Sequence, residues 1–338
     1  MHRMTPFFSI VVPVYDVAPY LRDCLDSLLA QSFTDWEAVC VDDGSTDGSG
    51  AILDEYASRD TRIRVIHQGN AGVGAARNVA LKAVQGNYLT FLDGDDMYCR
   101  EWLAEAFSVI SNTGVDLLHM GFTSFSDKPP EGELSRKYTV YDGVDAVREW
   151  GYPEFAEHGQ CCICFMKGSA LLRNGLNEFP PGMKFMEDNF FMIRNAAAFE
   201  KAAQSEFAGY YYRVRTGSAT CSTMKLELFS RLFQEYRRLV DDLGFGIVPR
   251  TNRIVQTGIA AWTNNGERKA KGADRQMADM VRQMAKDGYF DLSLVSPKWR
   301  LGHECVVRLR SFFMMDVLYV LMHAWARIRA VFIARPGH

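Results

Sequence analysis

The sequence has no repeat at a fixed period and no low-complexity tract, so solenoid, propeller and linker-type chains are excluded. It has little excess charge. Its 38 Lys and Arg against 41 Asp and Glu leave a net charge of −3, which excludes bulk electrostatic binding to nucleic acid. The N-terminal stretch MHRMTPFFSIVVPVYDVAPY lacks the long apolar core and small-residue cleavage site of a secretory signal. The eight cysteines are therefore expected as reduced thiols in the cytoplasm. His158, Cys161 and Cys164 form H-x-x-C-x-x-C, but no fourth ligand stands at metal spacing. With Cys162 these cysteines read as small buried hydrophobes. What is present is an ordinary globular composition, 48% hydrophobic and 23% charged over 338 residues, enough for one large domain or two smaller ones.

The first hundred residues alternate. FFSIVVPVY is a continuous apolar run of strand length. APYLRDCLDSLLAQSF places Leu21, Cys24, Leu25, Leu28 and Leu29 on one helical face. EAVCVDD reads as a strand, and GSTDGSGAILDEYASRD as a capped helix burying Ile52, Leu53 and Tyr56. IRVIHQ is a third strand. GVGAARNVALKAVQG is a helix with Ala76, Val79, Ala80 and Ala83 inward, ended by Gly86, and YLTFL is a fourth strand. Strands and helices in this order predict an α/β fold, a mostly parallel sheet with helices on both faces. Such sheets bind ligands beyond the carboxyl ends of their strands. Here those ends read PVYD, VDDGS, HQGN and LDGDD, polar or small throughout and twice doubly acidic.

Three enzyme chemistries compete for that edge. A dinucleotide site needs G-x-G-x-x-G after the first strand, but VPVYDVAPY has no glycine, and Gly69, Gly72 and Gly74 come later in the wrong order. No G-x-x-x-x-G-K-[ST] is present, which excludes a P-loop. The DxDG[ST] of haloacid-dehalogenase-like phosphohydrolases is poorly matched by Asp-Gly-Asp-Asp in the fourth strand. Transfer from a nucleotide-diphosphate donor fits better. A hard cation such as Mg²⁺ takes one or two protein carboxylates and shares its remaining shell with phosphate oxygens and water, and oxygen ligands suit Mn²⁺ equally. If the segment is extended, Asp93 and Asp95 point to one side.

The stretches SIVVPVYDVAPYLRDCLDSLLAQSFTDWEAVCVDDGSTDGSG, VIHQGNAGVGAARNVAL and GNYLTFLDGDD together closely resemble glycosyltransferase family 2. The match runs from about Phe7 to Trp102 and resumes more loosely at GMKFMEDNFFMIRNAA and YYYRVRTGSAT. The resemblance implies the GT-A fold, an inverting transfer from a nucleotide-diphosphate sugar, with a UDP-sugar favoured, and use of Mg²⁺ or Mn²⁺. By that match Pro13 and Tyr15 bed the nucleotide, with the tyrosine near the base, and Asp43 accepts from the uracil ring. Arg77 matches a donor-site arginine, though a surface or helix-pairing role is open for it. Asp95 matches the main metal ligand, Asp93 faces the donor, and Asp96 caps the next helix or orients the loop. Asp188 matches the base, with Glu187 on the acceptor side or supporting it. Both also suit a helix N-terminus, where the dipole favours acidic residues. Arg213 or Arg215 stands where a leaving diphosphate needs neutralising. CCICFMKGSALL falls on the acceptor side and departs from the family pattern.

The resemblance implies a GT-A domain over 1–222, with a nucleotide-binding half at 7–100 and an acceptor half at 101–222. The helical patterns ELFSRLFQEYRRLVDDL and DRQMADMVRQMAKDG then predict a helical region over 223–338 that ends in an amphipathic helix. The acceptor is expected to be a hydroxyl of a glycan or lipid-linked molecule in surface polysaccharide synthesis. The alternatives are a non-catalytic nucleotide-sugar-binding subunit of a membrane glycan-assembly complex, and a sugar-phosphate nucleotidyltransferase. The latter would carry a Gly-rich basic loop after the first strand, which PVYDVAPY is not. Near the C-terminus, SFFMMDVLYVLMHAWARIRAVFIA is strongly apolar. A helix over Ser311–Ala326 would be roughly 24 Å long at ~1.5 Å per residue, short of the ~30 Å hydrocarbon core. A helix lying on the membrane surface is expected there, with self-association through 304–335 as the alternative. The protein is thus expected in the cytoplasm, peripheral on the inner face of the plasma membrane.

Overall fold

The computed structural model describes residues 5–316 apart from 159, 174, 176–177, 216–223, 269–271 and 313. The chain divides into two compact units, residues 1–218 and 219–338. In the first, β1 (Phe8–Val14), α1 (Ala18–Leu29), β2 (Trp36–Asp42), α2 (Ser49–Arg59), β3 (Ile63–His67), α3 (Val73–Leu81) and β4 (Tyr88–Phe91) alternate as expected. Then follow β5 (Met97–Tyr98), α4 (Trp102–Thr113), β6 (Leu117–His119), β7 (Phe122–Phe125), β8 (Tyr138–Asp142), α5 (Val144–His158), β9 (Cys164–Lys167), α6 (Gly168–Arg173), α7 (Glu187–Asn195), β10 (Lys201–Ser205) and β11 (Tyr210–Arg213).

Every residue of β1, β2 and β4 is buried, as befits strands covered on both faces. They belong to an eight-stranded sheet of order β3-β2-β1-β4-β9-β6-β10-β8. Its first four strands are mutually parallel, and β9 runs antiparallel to both β4 and β6. On α1 the residues Leu21, Cys24, Leu25 and Leu28 are buried, and Leu53 and Tyr56 are on α2, whereas Ile52 is half-buried. The third helix ends at Leu81 rather than at Gly86. Gly86 serves the sheet instead. Its N–H donates to Ser9 Oγ at 2.7 Å, and a Cβ there would lie 2.6 Å from Ser9 N. The chain has to leave the helix early to make that approach.

Two features set up the candidate site. The register of β4 on β1 stops at Val11↔Phe91, so β1 runs three residues further, to Val14, and the chain after β4 folds over its end. A second sheet of order β5-β11-β7 pairs Tyr210 with Tyr98 and Tyr211 with Met97, carrying β11 alongside the acidic turn.

The second unit contains α8 (Leu226–Leu243), α9 (Val248–Thr251), α10 (Arg253–Asn265), α11 (Ala273–Lys286) and α12 (Pro297–Glu304). α8 buries Phe229, Leu232, Phe233, Tyr236, Leu239 and Val240 on one face. Arg268 bonds both Asp274 and Asp316 through Nη2 at 2.9 Å. Among the described residues no helix is long and apolar enough to cross a membrane. The apolar helix expected from Ser311 falls largely outside the described residues.

Candidate active site

Pro13 is buried near the end of β1. Val11 accepts from Leu92 N and Val14 from Asp43 N, so Pro13 faces the side where β4 has already ended. A missing N–H therefore costs no ladder bond there. Tyr15 follows, 48% exposed, with its ring free to meet a planar ligand. Asp43 at the end of β2 is buried. Its carboxylate accepts from Gln68 Nε2 (2.7 Å), Ala71 N (2.8 Å) and Gly72 N (2.8 Å), which fixes the loop leading into α3. Its neighbour Asp42 bonds Ser45 N and His67 Nδ1, both at 2.9 Å. Burial works to raise Asp42, but the Ser45 and His67 bonds bring it below the usual carboxylate range. The bonds to Asp42 and Asp54 raise His67 in turn.

The acidic stretch is a turn, not an extended segment, because Asp96 N bonds Asp93 O at 2.9 Å. Gly94 lies flat on β1, and a Cβ there would meet Pro13 O at 3.2 Å and Val17 Cγ2 at 3.2 Å. The three carboxylates separate in role. Asp93 bonds Arg77 Nη2 at 2.8 Å with its side chain 32% exposed. Asp95 accepts from Arg215 Nε at 2.7 Å with its side chain 21% exposed. Burial and then the charge of Asp93 push Asp95 upward, and Arg215 opposes that. Asp96 is buried. It accepts from Tyr210 Oη at 2.6 Å and from Arg213 N at 2.7 Å, and so pins the turn to β11. It caps no helix. Burial and its acidic neighbours raise it.

Arg77 joins this turn to a distant element. Its guanidinium is 5% exposed and also bonds Glu187 Oε1 at 2.9 Å. The arginine stands over the Phe179 ring, 5.3 Å from its centroid, and its Nε is buried without a hydrogen-bond partner. Glu187 and Asp188 open α7, where the helix dipole favours acidic side chains. The preceding Met186 is buried with φ +61°, a strained conformation for a residue with a long side chain. Asp188 is half-buried, and Oδ1 accepts from Asn189 N at 2.9 Å. Burial, reinforced by the Glu187 charge and offset by Arg77, pushes it up to about 7. A carboxylate poised there is suited to proton transfer near neutral pH.

Two arginines flank the turn on the other side. Arg213 donates from Nε to Asp95 O at 2.9 Å and from Nη2 to Asp23 at 3.0 Å, and it stands over the Tyr20 and Phe125 rings. Arg215 stands over the same Tyr20 ring at 5.2 Å. Cys161, Cys162 and Cys164, expected on the acceptor side, are buried free thiols, raised by burial. The charges of Arg77, Asp188 and Asp93 all act on Cys161.

The structure therefore brings Arg77, Asp93, Asp95, Glu187 and Asp188 into one charged network, and sets Pro13, Tyr15 and Asp43 along the adjoining strand ends. Sequence reasoning missed Tyr210, which reads there as one more core aromatic. The signal was the chain order DGDD–MY, since a short strand after the turn needs a partner, and YYYR supplies it.

The family described as glycosyl transferase family 2 matches residues 9–171. The uncharacterised glycosyltransferase EpsJ of Bacillus subtilis (strain 168) is 30% identical over 327 residues, covering 88% of this chain and 94% of EpsJ. The structure of S. aureus TarS 1–349 in complex with UDP-GlcNAc superimposes with a TM-score of 0.68 at 20% identity, over 92% of this chain and 90% of that one. The mannosyltransferase PcManGT from Pyrobaculum calidifontis, in complex with GDP-Man and Mn²⁺, gives a TM-score of 0.54 at 17% identity over 92% and 87%. The mixed sheet with its parallel half and flanking helices is the GT-A fold, and the chain belongs to glycosyltransferase family 2.

Proposed function

We propose that this protein is an inverting glycosyltransferase that moves one sugar from a UDP-sugar to a hydroxyl of a glycan or lipid-linked acceptor, with Mg²⁺ or Mn²⁺. One observation carries the reading. Arg77 bonds Asp93 at the donor edge and Glu187 beside Asp188, which holds a leaving-group side and a base side in one network. Asp188 takes the acceptor hydroxyl proton. The acceptor oxygen then bonds the anomeric carbon as the bond from that carbon to the β-phosphate oxygen breaks. The nucleoside diphosphate leaves with the electron pair, and attack from the opposite face inverts the centre. Tyr15 offers its ring to the base. Asp43 already accepts three bonds, and a carboxylate has about four acceptor positions, so one remains for a uracil N–H.

The donor set fits a divalent cation held jointly with phosphate. Among the described residues no group of three or more His, Cys, Asp or Glu could hold a metal ion, so an all-protein cage is absent. Two neighbouring carboxylates remain, and burial first and then the charge of Asp93 push Asp95 upward; a cation relieves the second of these. Mg²⁺ is bound in this manner, through one or two carboxylates plus substrate phosphates. Asp95 would hold the ion, with Asp93 toward the donor. When bound, the ion would neutralise charge on the departing diphosphate.

The TarS complex with UDP-GlcNAc supports a UDP-sugar, and the Mn²⁺ of PcManGT supports a divalent ion. The reading is tested by calorimetry with UDP, with and without Mn²⁺, followed by hydrolysis of a panel of UDP-sugars. Metal-dependent turnover of one donor is expected, and UDP binding without turnover of any would leave a binding subunit instead. Membrane-surface attachment through 304–335 belongs to the same proposal. A chain ending near residue 311 should lose liposome binding, and unchanged binding removes that part.

A further inference from the structure

We infer that Arg215 is the internal counter-ion of Asp95 and makes divalent-cation binding conditional on the donor diphosphate. The inference rests on the reading of Asp95 as metal ligand. Arg215 Nε donates to Asp95 Oδ2 at 2.7 Å, with the two side chains 22% and 21% exposed. Asp95 sits next to Asp93, and its charge in that half-buried place needs a partner. Arg213 cannot exchange for Arg215. Its Nε is bonded to the Asp95 main-chain oxygen and its Nη2 to Asp23. Asp93 is engaged separately, by Arg77. Each of the two carboxylates that would face a cation thus has one oxygen taken by its own arginine.

A guanidinium and a metal ion compete for the same carboxylate oxygens. A cation arriving alone meets an Asp95 whose charge is already neutralised and whose Oδ2 is held by Arg215. To use that oxygen it must displace the guanidinium, which then loses its carboxylate. A cation arriving with a nucleoside diphosphate changes that balance. The displaced guanidinium then meets phosphate oxygens, whose geometry it matches bidentately. Tyr20 provides a place to swing on, since the Arg215 guanidinium already stands over its ring at 5.2 Å. Cation and diphosphate binding are therefore coupled through Arg215, and the coupling is reciprocal. A donor-free enzyme resists adventitious metal, and the ion enters with the substrate that it serves.

The test uses the full chain and Mn²⁺ as the probe, with free Mn²⁺ read by electron paramagnetic resonance, in the absence and presence of UDP. Wild type is expected to bind Mn²⁺ weakly alone and more tightly with UDP. Arg215→Gln is expected to bind Mn²⁺ alone about tenfold more tightly, a modest share of what a partner charge at this range and partial exposure can contribute. Its further gain on adding UDP should shrink. An unfolded chain exposes Cys, His and carboxylate side chains that bind metal themselves, so the comparison is made with Arg215→Gln protein whose circular dichroism spectrum and melt match wild type. Unchanged or weaker Mn²⁺ binding by donor-free Arg215→Gln overturns the inference. Asp95→Asn separates the two levels. Loss of Mn²⁺ binding in that variant supports Asp95 as the ligand, while retained binding removes the metal assignment itself and the counter-ion role with it.

Discussion

Asp93 and Glu187 bond the two terminal nitrogens of one buried guanidinium, that of Arg77, at 2.8 and 2.9 Å. One residue follows the fourth strand and the other opens α7. Their common partner ties the acidic turn to the start of α7, where the candidate base Asp188 stands. Removing it leaves Glu187 buried without a counter-charge. Breaking such a pair typically costs about 3 kcal/mol or more. Arg77→Met is expected to lower unfolding free energy by about that much in denaturant titration, and to reduce donor turnover by more than UDP affinity. Arg77→Lys should recover part of the stability. A single ammonium cannot span both carboxylates, so turnover should stay low. Full turnover in Arg77→Lys would contradict the bridging role.

Asp188 combines a raised pKa with a position beside that bridge. A base must be ionised, so transfer should rise with pH and level off above about 7, falling about tenfold per unit below it. Asp188→Asn should leave UDP binding intact and remove transfer; normal turnover in that variant rejects it as base. The same shift has a stability consequence. The folded pKa lies above the unfolded value, so between the two the native state holds more protons and stability falls as pH rises through that window. Asp188→Asn should therefore stabilise the fold at pH 8 relative to wild type. That gain should shrink on acidification toward the unfolded value near 4, and thermal melts across pH read both. No gain at pH 8 would mean that burial does not strain this carboxylate.

The alternating strands and helices were legible because each carries its own signal: fully apolar strands, and one helical face on α1 in Leu21, Cys24, Leu25 and Leu28. The place of the acidic stretch beyond the fourth strand was legible from the strand order, but its turn was not, because the Asp96–Asp93 bond that closes it leaves no pattern in an Asp-Gly-Asp-Asp run. What sequence could not supply were partners far along the chain. Tyr210 lies 114 residues from Asp96, and Glu187 lies 110 from Arg77. Nothing local in YYYR distinguishes a tyrosine that bonds a carboxylate from one that fills a core. Asp43 shows the same limit. Its type suits a nucleotide contact, yet three of its acceptor positions hold the protein's own loop. Gly86 reads in sequence as a helix stop, whereas its actual constraint is the Ser9 backbone of another strand.

Tyr210 is the test of how the turn is held. Its hydroxyl donates to Asp96 at 2.6 Å and accepts from Asp93 N at 3.3 Å, so one oxygen serves both ends of the turn. Tyr210→Phe keeps the ring contacts with Tyr98 and Trp102. It leaves Asp96 with the Arg213 amide as its remaining strong donor. A buried acceptor deprived of a partner costs about 1–3 kcal/mol. Stability in urea should fall by that amount, and Mn²⁺-dependent UDP affinity should fall with it, because the turn carrying Asp95 loosens. A stability loss with unchanged Mn²⁺-dependent affinity would show that Arg213 alone holds the turn.

Gly94 separates the position of the turn from its charge. A Cβ at this position would meet Pro13 O and Val17 Cγ2, both at 3.2 Å, and Val14 Cγ2 at 3.3 Å. These contacts are tight by only a few tenths of an ångström. The first is with backbone of β1, which is held along its whole length by β2, so the turn, not the strand, has to move. Gly94→Ala adds no charge and removes no hydrogen bond, and its destabilisation should stay within the ~1–3 kcal/mol of small overpacking changes. The two carboxylates on either side would nonetheless be lifted away from Pro13 and Tyr15. Mn²⁺-dependent UDP affinity is expected to drop several-fold, while UDP affinity without metal stays close to wild type, since Tyr15 and Asp43 lie on other strand ends. Calorimetry with and without Mn²⁺ reads the difference. An equal loss in both conditions would mean that the turn supports the nucleotide directly and not through a cation.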